Sequence, residues 1–372
     1  AITDAGQRTL ELGLNAKVLT ETLVKDIGKL NEFGFQGGIK GLTKMAQEAQ
    51  SLNFNIDNLY CLYVLYIYIN RKNNKNNYMA NFGYNNNPNL PRADYKHSFT
   101  QNELTEFYKC AADPVYFAIN YMKIVNVDRG LIPFEMWDFQ QEMLQTFHDN
   151  RFSICKLPRQ VGKTTTSVAY LLHYILFNEN VNVAILANKS ATAREIMSRL
   201  QLAYEYLPFF LKQGVVEWNK GSILLANGSR ALADSTSGSS VRGKTFNVIF
   251  LDEFAFVPNN IAESFFMSTY PTISSGNSTK VIIVSTPNGL NLFYKMWIEA
   301  QEKKSLYIPI EIHWSMVPGR DEKWKETTIR NTSPDQFRQE FECVSGNTMV
   351  EVKNKITGKE EKITIQELFG RM

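Results

Sequence analysis

Leu157-Pro-Arg-Gln-Val-Gly-Lys-Thr-Thr-Thr166 decides how this chain is read. It follows the apolar run Phe152-Ser-Ile-Cys-Lys156 and leads into Ser167-Val-Ala-Tyr-Leu-Leu-His-Tyr-Ile-Leu176, a strand, a loop and a helix. Gly162-Lys163-Thr164 then stands where a phosphate-binding loop turns into its helix. Backbone N–H groups at a helix N-terminus point at clustered negative charge, and the helix dipole favours it. Gly162 lets the backbone approach a phosphate with no Cβ in the way. Lys163 would reach the β- and γ-phosphates of a nucleotide, and Thr164 would place its hydroxyl on Mg²⁺. The full loop pattern asks for a glycine at the position Leu157 occupies, so the triplet alone does not carry the reading.

A second stretch strengthens it. In Asn247-Val-Ile-Phe-Leu-Asp-Glu-Phe254 an apolar run ends in adjacent carboxylates. Such a run suits a strand buried on both faces, with Asp252 and Glu253 at the carboxyl end, where open α/β sheets bind ligands. One carboxylate can hold the hydration shell of Mg²⁺ and the next can orient an attacking water. The expected fold class is α/β: a P-loop fold with a mostly parallel central sheet flanked by helices.

Composition is that of an ordinary globular protein: 372 residues, formal net charge +3, 44% hydrophobic and 21% charged. That length suggests about two to three domains. So small a net charge does not argue for nucleic acid; a DNA contact would need a local patch. Cys61, Cys110, Cys155 and Cys343 form no CxxC pair, which gives neither a zinc site nor a disulfide framework and fits a reducing compartment. No apolar run approaches the length that crosses a bilayer, so no membrane partner is expected.

Residues 1–78 read as a helical leader plus a low-complexity stretch. Leu10, Leu14, Val18, Leu23, Ile27 and Leu30 recur at rough helical spacing, and Leu59-Tyr-Cys-Leu-Tyr-Val-Leu-Tyr-Ile-Tyr-Ile69 precedes Asn70-Arg-Lys-Asn-Asn-Lys-Asn-Asn-Tyr78. These two stretches resemble neither a packed domain nor a natural linker, so this part reads as lying outside the native protein, which would start at Met79, with an exposed strand and a polar linker as the alternative. Alanine in first place reads as a fragment or a processed product. Residues 79–95, rich in Asn, Pro and Gly, read as disordered. Ser98 is expected to cap a helix carrying Leu104 and Phe107, and Asp113 the next, with Pro114 at its first position. In Trp137-Asp-Phe-Gln140, an aromatic residue followed by Gln140 could hold an adenine, since an amide offers both a donor and an acceptor. Val181–Ala187 reads as a second parallel strand, and Val215–Ser229 as a hairpin around Asn219-Lys-Gly221 with a further turn at Asn227-Gly228. Arg242, in a Gly- and Ser-rich loop, could sense phosphate or DNA. Lys280-Val-Ile-Ile-Val-Ser-Thr-Pro-Asn-Gly289 reads as a third buried strand, at whose end Ser285 or Thr286 would lie near a γ-phosphate. A helix over 293–302, a strand over 307–314 and a short helix over 334–342 follow.

From about Cys110 to Glu342 the chain resembles the ATPase domain of the large terminase subunit of tailed phages, of the myovirus type. Asp138-Phe-Gln-Gln-Glu-Met143 is similar to the family's adenine motif and Pro158-Arg-Gln-Val-Gly-Lys-Thr-Thr165 to its deviant Walker A, in which an arginine precedes Gly-Lys-Thr and the first glycine is missing. Phe250-Leu-Asp-Glu253 is similar to Walker B and Ser285-Thr-Pro-Asn-Gly-Leu290 to the coupling motif. The resemblance implies ATP and Mg²⁺ as cofactors. It implies nucleotide contacts from Gln140, Arg159, Gln160, Val161, Gly162, Lys163, Thr164 and Thr165, and metal contacts from Thr164 and Asp252. Catalytic roles fall to Glu253 on water, Arg159 as an in-cis or sensor arginine, and Thr286 in coupling. The implied partners are double-stranded DNA, the portal protein, the small terminase subunit and copies of the chain in a homo-oligomeric ring on the prohead. The implied location is the host cytoplasm, on the prohead during assembly and absent from the mature virion. The family's C-terminal nuclease domain has no counterpart up to Met372, so ATP hydrolysis without DNA cutting is expected.

After Glu342 the pattern changes. Cys343-Val-Ser-Gly-Asn-Thr-Met-Val-Glu-Val352 resembles the first block of an intein, with Cys343 as nucleophile and a hairpin turning at Asn354-Lys-Ile-Thr-Gly358. No histidine follows His313, so the later intein blocks are missing and a complementary intein half would be a partner. The expected domains are 1–78, an ATPase domain at 79–342, and an intein fragment at 343–372. A helicase-like ATPase, or an inert splicing precursor, are the alternative readings.

Overall fold

The computed structural model describes residues 83–126, 128–237, 245–274, 276, 278–342, 349–353 and 360–364. All of them belong to the compact unit Asn81–Met372. The leader at 1–78, Arg242, Cys343 and the turn at Asn354–Gly358 lie outside the described residues.

The centre is an eight-stranded sheet in the order β10-β3-β9-β8-β4-β7-β6-β5. Its strands are β3 (Phe152–Lys156), β4 (Asn182–Ala187), β5 (Val215–Asn219), β6 (Ser222–Leu225), β7 (Arg230–Ser235), β8 (Val248–Asp252), β9 (Lys280–Ser285) and β10 (Ile308–Glu311). From β10 to β7 every neighbouring pair is parallel, and β6 and β5 close one edge antiparallel. This is the mostly parallel α/β sheet expected. Small antiparallel ribbons stand apart from it: β1 (Lys123–Asn126) with β2 (Gly130–Pro133), and β11 (Met349–Lys353) with β12 (Glu360–Thr364).

Alternation along the strands builds the two faces. Val248 and Phe250 join one core with Val168, Ile196 and Met143, while Ile249 and Leu251 join a second with Phe265, Phe293 and Trp297. Both faces of β8 are therefore covered, and all of its residues are buried. This is why its sequence is continuously apolar rather than alternating. The helices doing the covering are α3 (Asp138–Asp149), α4 (Lys163–Phe177) and α5 (Ser190–Glu205) on the first face, and α6 (Asn259–Ser274) and α7 (Leu292–Gln301) on the second. Helices α1 (Gln101–Ala112) and α2 (Pro114–Tyr121) precede them, and α8 (Glu322–Asn331) and α9 (Pro334–Phe337) follow.

Local chemistry sets the ends. Asp113 accepts from the N–H groups of Val115 and Tyr116 at 2.8 and 3.0 Å, with Pro114 first in α2. Helix α1 is capped by Thr100, not Ser98: the Glu103 N–H donates to Thr100 Oγ1 and the Thr100 N–H to the Glu103 carboxylate, a reciprocal box. For residues 83–95 the expectation of disorder is also corrected, residues 79–82 lying outside the described residues. Leu90 is buried, the Val215 N–H donates to the Pro91 carbonyl at 2.8 Å, and Lys212 Nζ donates to the Asn89 carbonyl at 2.8 Å. A polar composition is held here by main-chain bonds to the edge of the sheet. Among the described residues no helix is long and apolar enough to cross a membrane.

Candidate active site

Register assembles the site. Strand β9 lies between β3 and β8, and all three run in parallel. Lys156, at the end of β3, pairs with Ser285 at the end of β9, and Asp252, at the end of β8, pairs with Val284. Three stretches far apart in sequence thus emerge side by side at the carboxyl edge of one sheet, where such folds bind ligands.

The loop after β3 turns sharply. Gln160 and Gly162 both have positive φ, at 59° and 76°, and Val161 between them does not. Alternating signs of φ bend successive N–H groups towards one concavity, a nest for an anion. Gly162 is the N-cap of α4, and a Cβ there would stand 2.4 Å from Gln140 Nε2. Lys163 opens the helix with its side chain nearly buried, and its ammonium meets Glu253 Oε1 at 2.6 Å and donates to Thr286 Oγ1 at 3.0 Å. Of the alternatives at the end of β9, Thr286 is therefore the residue that touches the loop lysine. Ser285 accepts from the Ala255 N–H at 3.0 Å and donates to the Thr286 carbonyl at 2.8 Å, fastening the turn after β8 to β9.

The carboxylates carry the electrostatics. Asp252 is 4% exposed, and burial pushes its carboxyl up to about 6, against the pull of Lys163. Asp252 Oδ1 and Glu253 Oε2 are buried without a hydrogen-bond partner. Orphaned anionic oxygens are costly unless something cationic takes them up. Together with the nest formed by Gln160, Val161 and Gly162, they fit a Mg²⁺-bound polyphosphate. Glu253 is itself held at φ 51°, ψ 40°, where non-glycine residues rarely sit, at the strand end.

Some expected site residues have other duties here. The Gln140 amide is an inner clamp and not an open adenine edge: its Oε1 accepts from the Trp137 N–H and its Nε2 donates to the Val161 carbonyl, each at 3.0 Å. At 4% exposure it lies beneath the loop. Arg159 does not join Lys163, Asp252, Glu253 and Thr286. Its guanidinium pairs with the Glu340 carboxylate, and its N–H donates to the Glu340 carbonyl at 2.9 Å. Thr164 and Thr165 occupy the first turn of α4, half-buried.

The sequence pattern of the terminase large subunit, T4-like virus type, N-terminal part, matches residues 154–360, more than half of the chain. The chain belongs to this terminase family. Among curated relatives, tripartite terminase subunit 3 of equine herpesvirus 2 (strain 86/87) is 28% identical over 130 residues, covering 33% of this chain and 18% of that protein. The corresponding protein of human herpesvirus 8 type P (isolate GK18) is 26% identical over 131 residues, with the same shares. The match thus spans less than a fifth of these terminase relatives. The crystal structure of the HK97 bacteriophage large terminase superposes with a TM-score of 0.54 at 16% identity, covering 64% of this chain and 56% of that one, which shows a shared terminase fold.

Sequence reasoning missed one participant in the terminase loop. Arg320 donates from its terminal nitrogens to the carbonyls of Arg159 and Gln160 at 3.2 and 3.0 Å. Nothing in Val317-Pro-Gly-Arg320 announces a partner so far back in the chain.

Proposed function

We propose that this chain is the ATPase part of a DNA-packaging terminase, hydrolysing ATP to drive double-stranded DNA into a capsid. The observation that carries the reading is the bridge made by Lys163, which touches Glu253, just past β8, and Thr286, just past β9, from the end of the phosphate loop. Thr164 and Asp252 would hold Mg²⁺, which would supply charge neutralisation on the polyphosphate. Lys163 exchanges its protein partners for phosphate when ATP enters. That frees Glu253 to orient the attacking water and take its proton as the bond between the γ-phosphorus and the β–γ bridging oxygen breaks. Thr286 loses its lysine donor in the same exchange, so β9 registers whether the site is filled. Arg159 would reach the phosphates only after leaving Glu340. Double-stranded DNA, a portal, a small subunit and a ring of copies on the prohead in the host cytoplasm are the partners and place that family membership supports, ahead of a helicase.

The test is Mg²⁺-dependent ATP hydrolysis and nucleotide binding by the full chain beside Lys163→Ala and Glu253→Gln. Turnover is expected to vanish in both variants, and binding only in Lys163→Ala. ATP binding unaffected by Lys163→Ala overturns the assignment.

A second reading concerns the C-terminus, where β11 and β12 pair antiparallel soon after Cys343. It supports an intein start, although the family match continues past Cys343 to residue 360 and draws no boundary there. The Cys343 thiol would attack the Glu342 carbonyl, breaking the C–N bond, freeing the Cys343 amine and leaving a thioester. Hydroxylamine should then release a fragment ending at Glu342, seen by mass spectrometry and absent in Cys343→Ala. An intact chain rejects the idea.

A further inference from the structure

Three successive peptides of the phosphate loop have their carbonyls held by side chains from other segments. The carbonyls of Arg159 and Gln160 accept from Arg320, and that of Val161 accepts from Gln140. In a trans peptide the C=O and N–H point in opposite directions. Fixing these carbonyls therefore turns the N–H groups of Gln160, Val161 and Gly162 away from the ties. Among the described residues none of those N–H groups has a partner, which leaves them for an anion. Arg320 is itself aimed. Its guanidinium carbon lies 4.7 Å from the centre of the Trp324 ring and 5.5 Å from that of Phe341. Trp324 stacks on Trp314 at 5.8 Å, and the Trp324 N–H is capped by Asp321 at 2.8 Å. Lys325 pairs with Glu342 at 3.0 Å, tying the turn that carries Phe341 to α8.

We infer that Arg320 is a positioning residue for the phosphate loop, holding two successive carbonyls outward so that the nest is open before the nucleotide arrives. This rests on the ATPase reading above. A planar guanidinium suits the task because its two terminal nitrogens stand at a fixed spacing, one for each carbonyl, whereas a lysine offers a single nitrogen on a flexible stem. The segment after β10 thereby sets the shape of the nucleotide loop, though it contributes no group to the phosphates.

The experiment measures ATP affinity and thermal melting of the full chain as wild type, Arg320→Ala, Arg320→Lys and Lys163→Ala. Losing two charged hydrogen bonds to the loop should weaken ATP binding of Arg320→Ala by about ten- to a hundredfold. Arg320→Lys should lose about three- to tenfold, since it keeps the charge and donors but not the rigid fork that fixes both carbonyls. Millimolar guanidinium should restore part of the affinity of Arg320→Ala and do nothing for Lys163→Ala, a response that a merely destabilised fold would not give. Affinity of Arg320→Ala equal to wild type, or lowered without guanidinium rescue, overturns the role of Arg320 while leaving the loop assignment standing. If Arg320→Ala does not fold, wild-type affinity in Arg320→Lys overturns it equally. Unchanged binding in Lys163→Ala defeats the ATPase reading itself.

Discussion

Gly162→Ala tests the loop geometry without reference to activity. At φ 76° an alanine sits in left-handed backbone, which costs about 1–2 kcal/mol. Its Cβ would also stand 2.4 Å from Gln140 Nε2, a distance real Cβ atoms do not show. Gln140 must withdraw, losing the bonds to the Val161 carbonyl and the Trp137 N–H. At about 1 kcal/mol each, these bring the expected loss to roughly 3–4 kcal/mol. Gln140→Ala alone loses the same bonds, about 2 kcal/mol. In the double variant the clash has no object, so only the backbone strain is added to the Gln140 loss. The sum should fall short of additivity by about 2 kcal/mol. Urea unfolding of the four proteins, followed through the midpoint at unchanged m-value, reads this directly. Additivity within about 0.5 kcal/mol would refute the contact.

Other consequences follow from the same contacts. Ser285→Ala should lose about 1–3 kcal/mol by leaving the buried Ala255 N–H unpaired, and should lower kcat with little change in KM for ATP; a variant that melts and turns over like wild type contradicts this. His173 is buried and donates to the Cys110 carbonyl at 2.8 Å, and burial holds its pKa at about 3, below the ordinary 6.5. The unfolded chain therefore binds the extra proton first. The stability is present above pH 6.5 and is lost as pH falls towards 3, at roughly 1.4 kcal/mol per pH unit, and His173→Gln should flatten that slope in urea midpoints measured across pH. Equal slopes would exclude His173 as the source. Arg151 donates to the carbonyls of Ile273, Gly276 and Thr279, so Arg151→Ala should cost about 2–4 kcal/mol. Faster amide exchange should appear first at the end of α6, and uniform exchange would argue against it.

Much of the fold was legible because the responsible interactions are local. Strands β3, β4, β8 and β9 announce themselves as apolar runs because both faces of the sheet are covered. Asp113-Pro114 announces α2 because a cap is a matter of neighbouring residues. The Asn219-Lys-Gly221 turn and the β5–β6 hairpin were likewise readable. Strand β7 escaped notice: Arg230-Ala-Leu-Ala-Asp-Ser235 has no β-branched residue, and its strand conformation comes from pairing with β4 and β6. The ribbon β1–β2 is short and mostly exposed, with no strong pattern to read.

The sequence by itself determined that Gly162-Lys163-Thr164 opens a helix after a strand and that Asp252-Glu253 closes a buried strand, since period and end-group chemistry are carried by adjacent residues. Only the tertiary structure decided that β9 slots between β3 and β8, bringing Thr286 to Lys163. The same holds for the turn of Gln140 under the loop, the pairing of Arg159 with Glu340, and the service of Arg320 to the loop carbonyls. The reason is physical. Strand order and register are settled by which apolar faces bury together, and a long polar side chain takes whichever partner that packing leaves within reach.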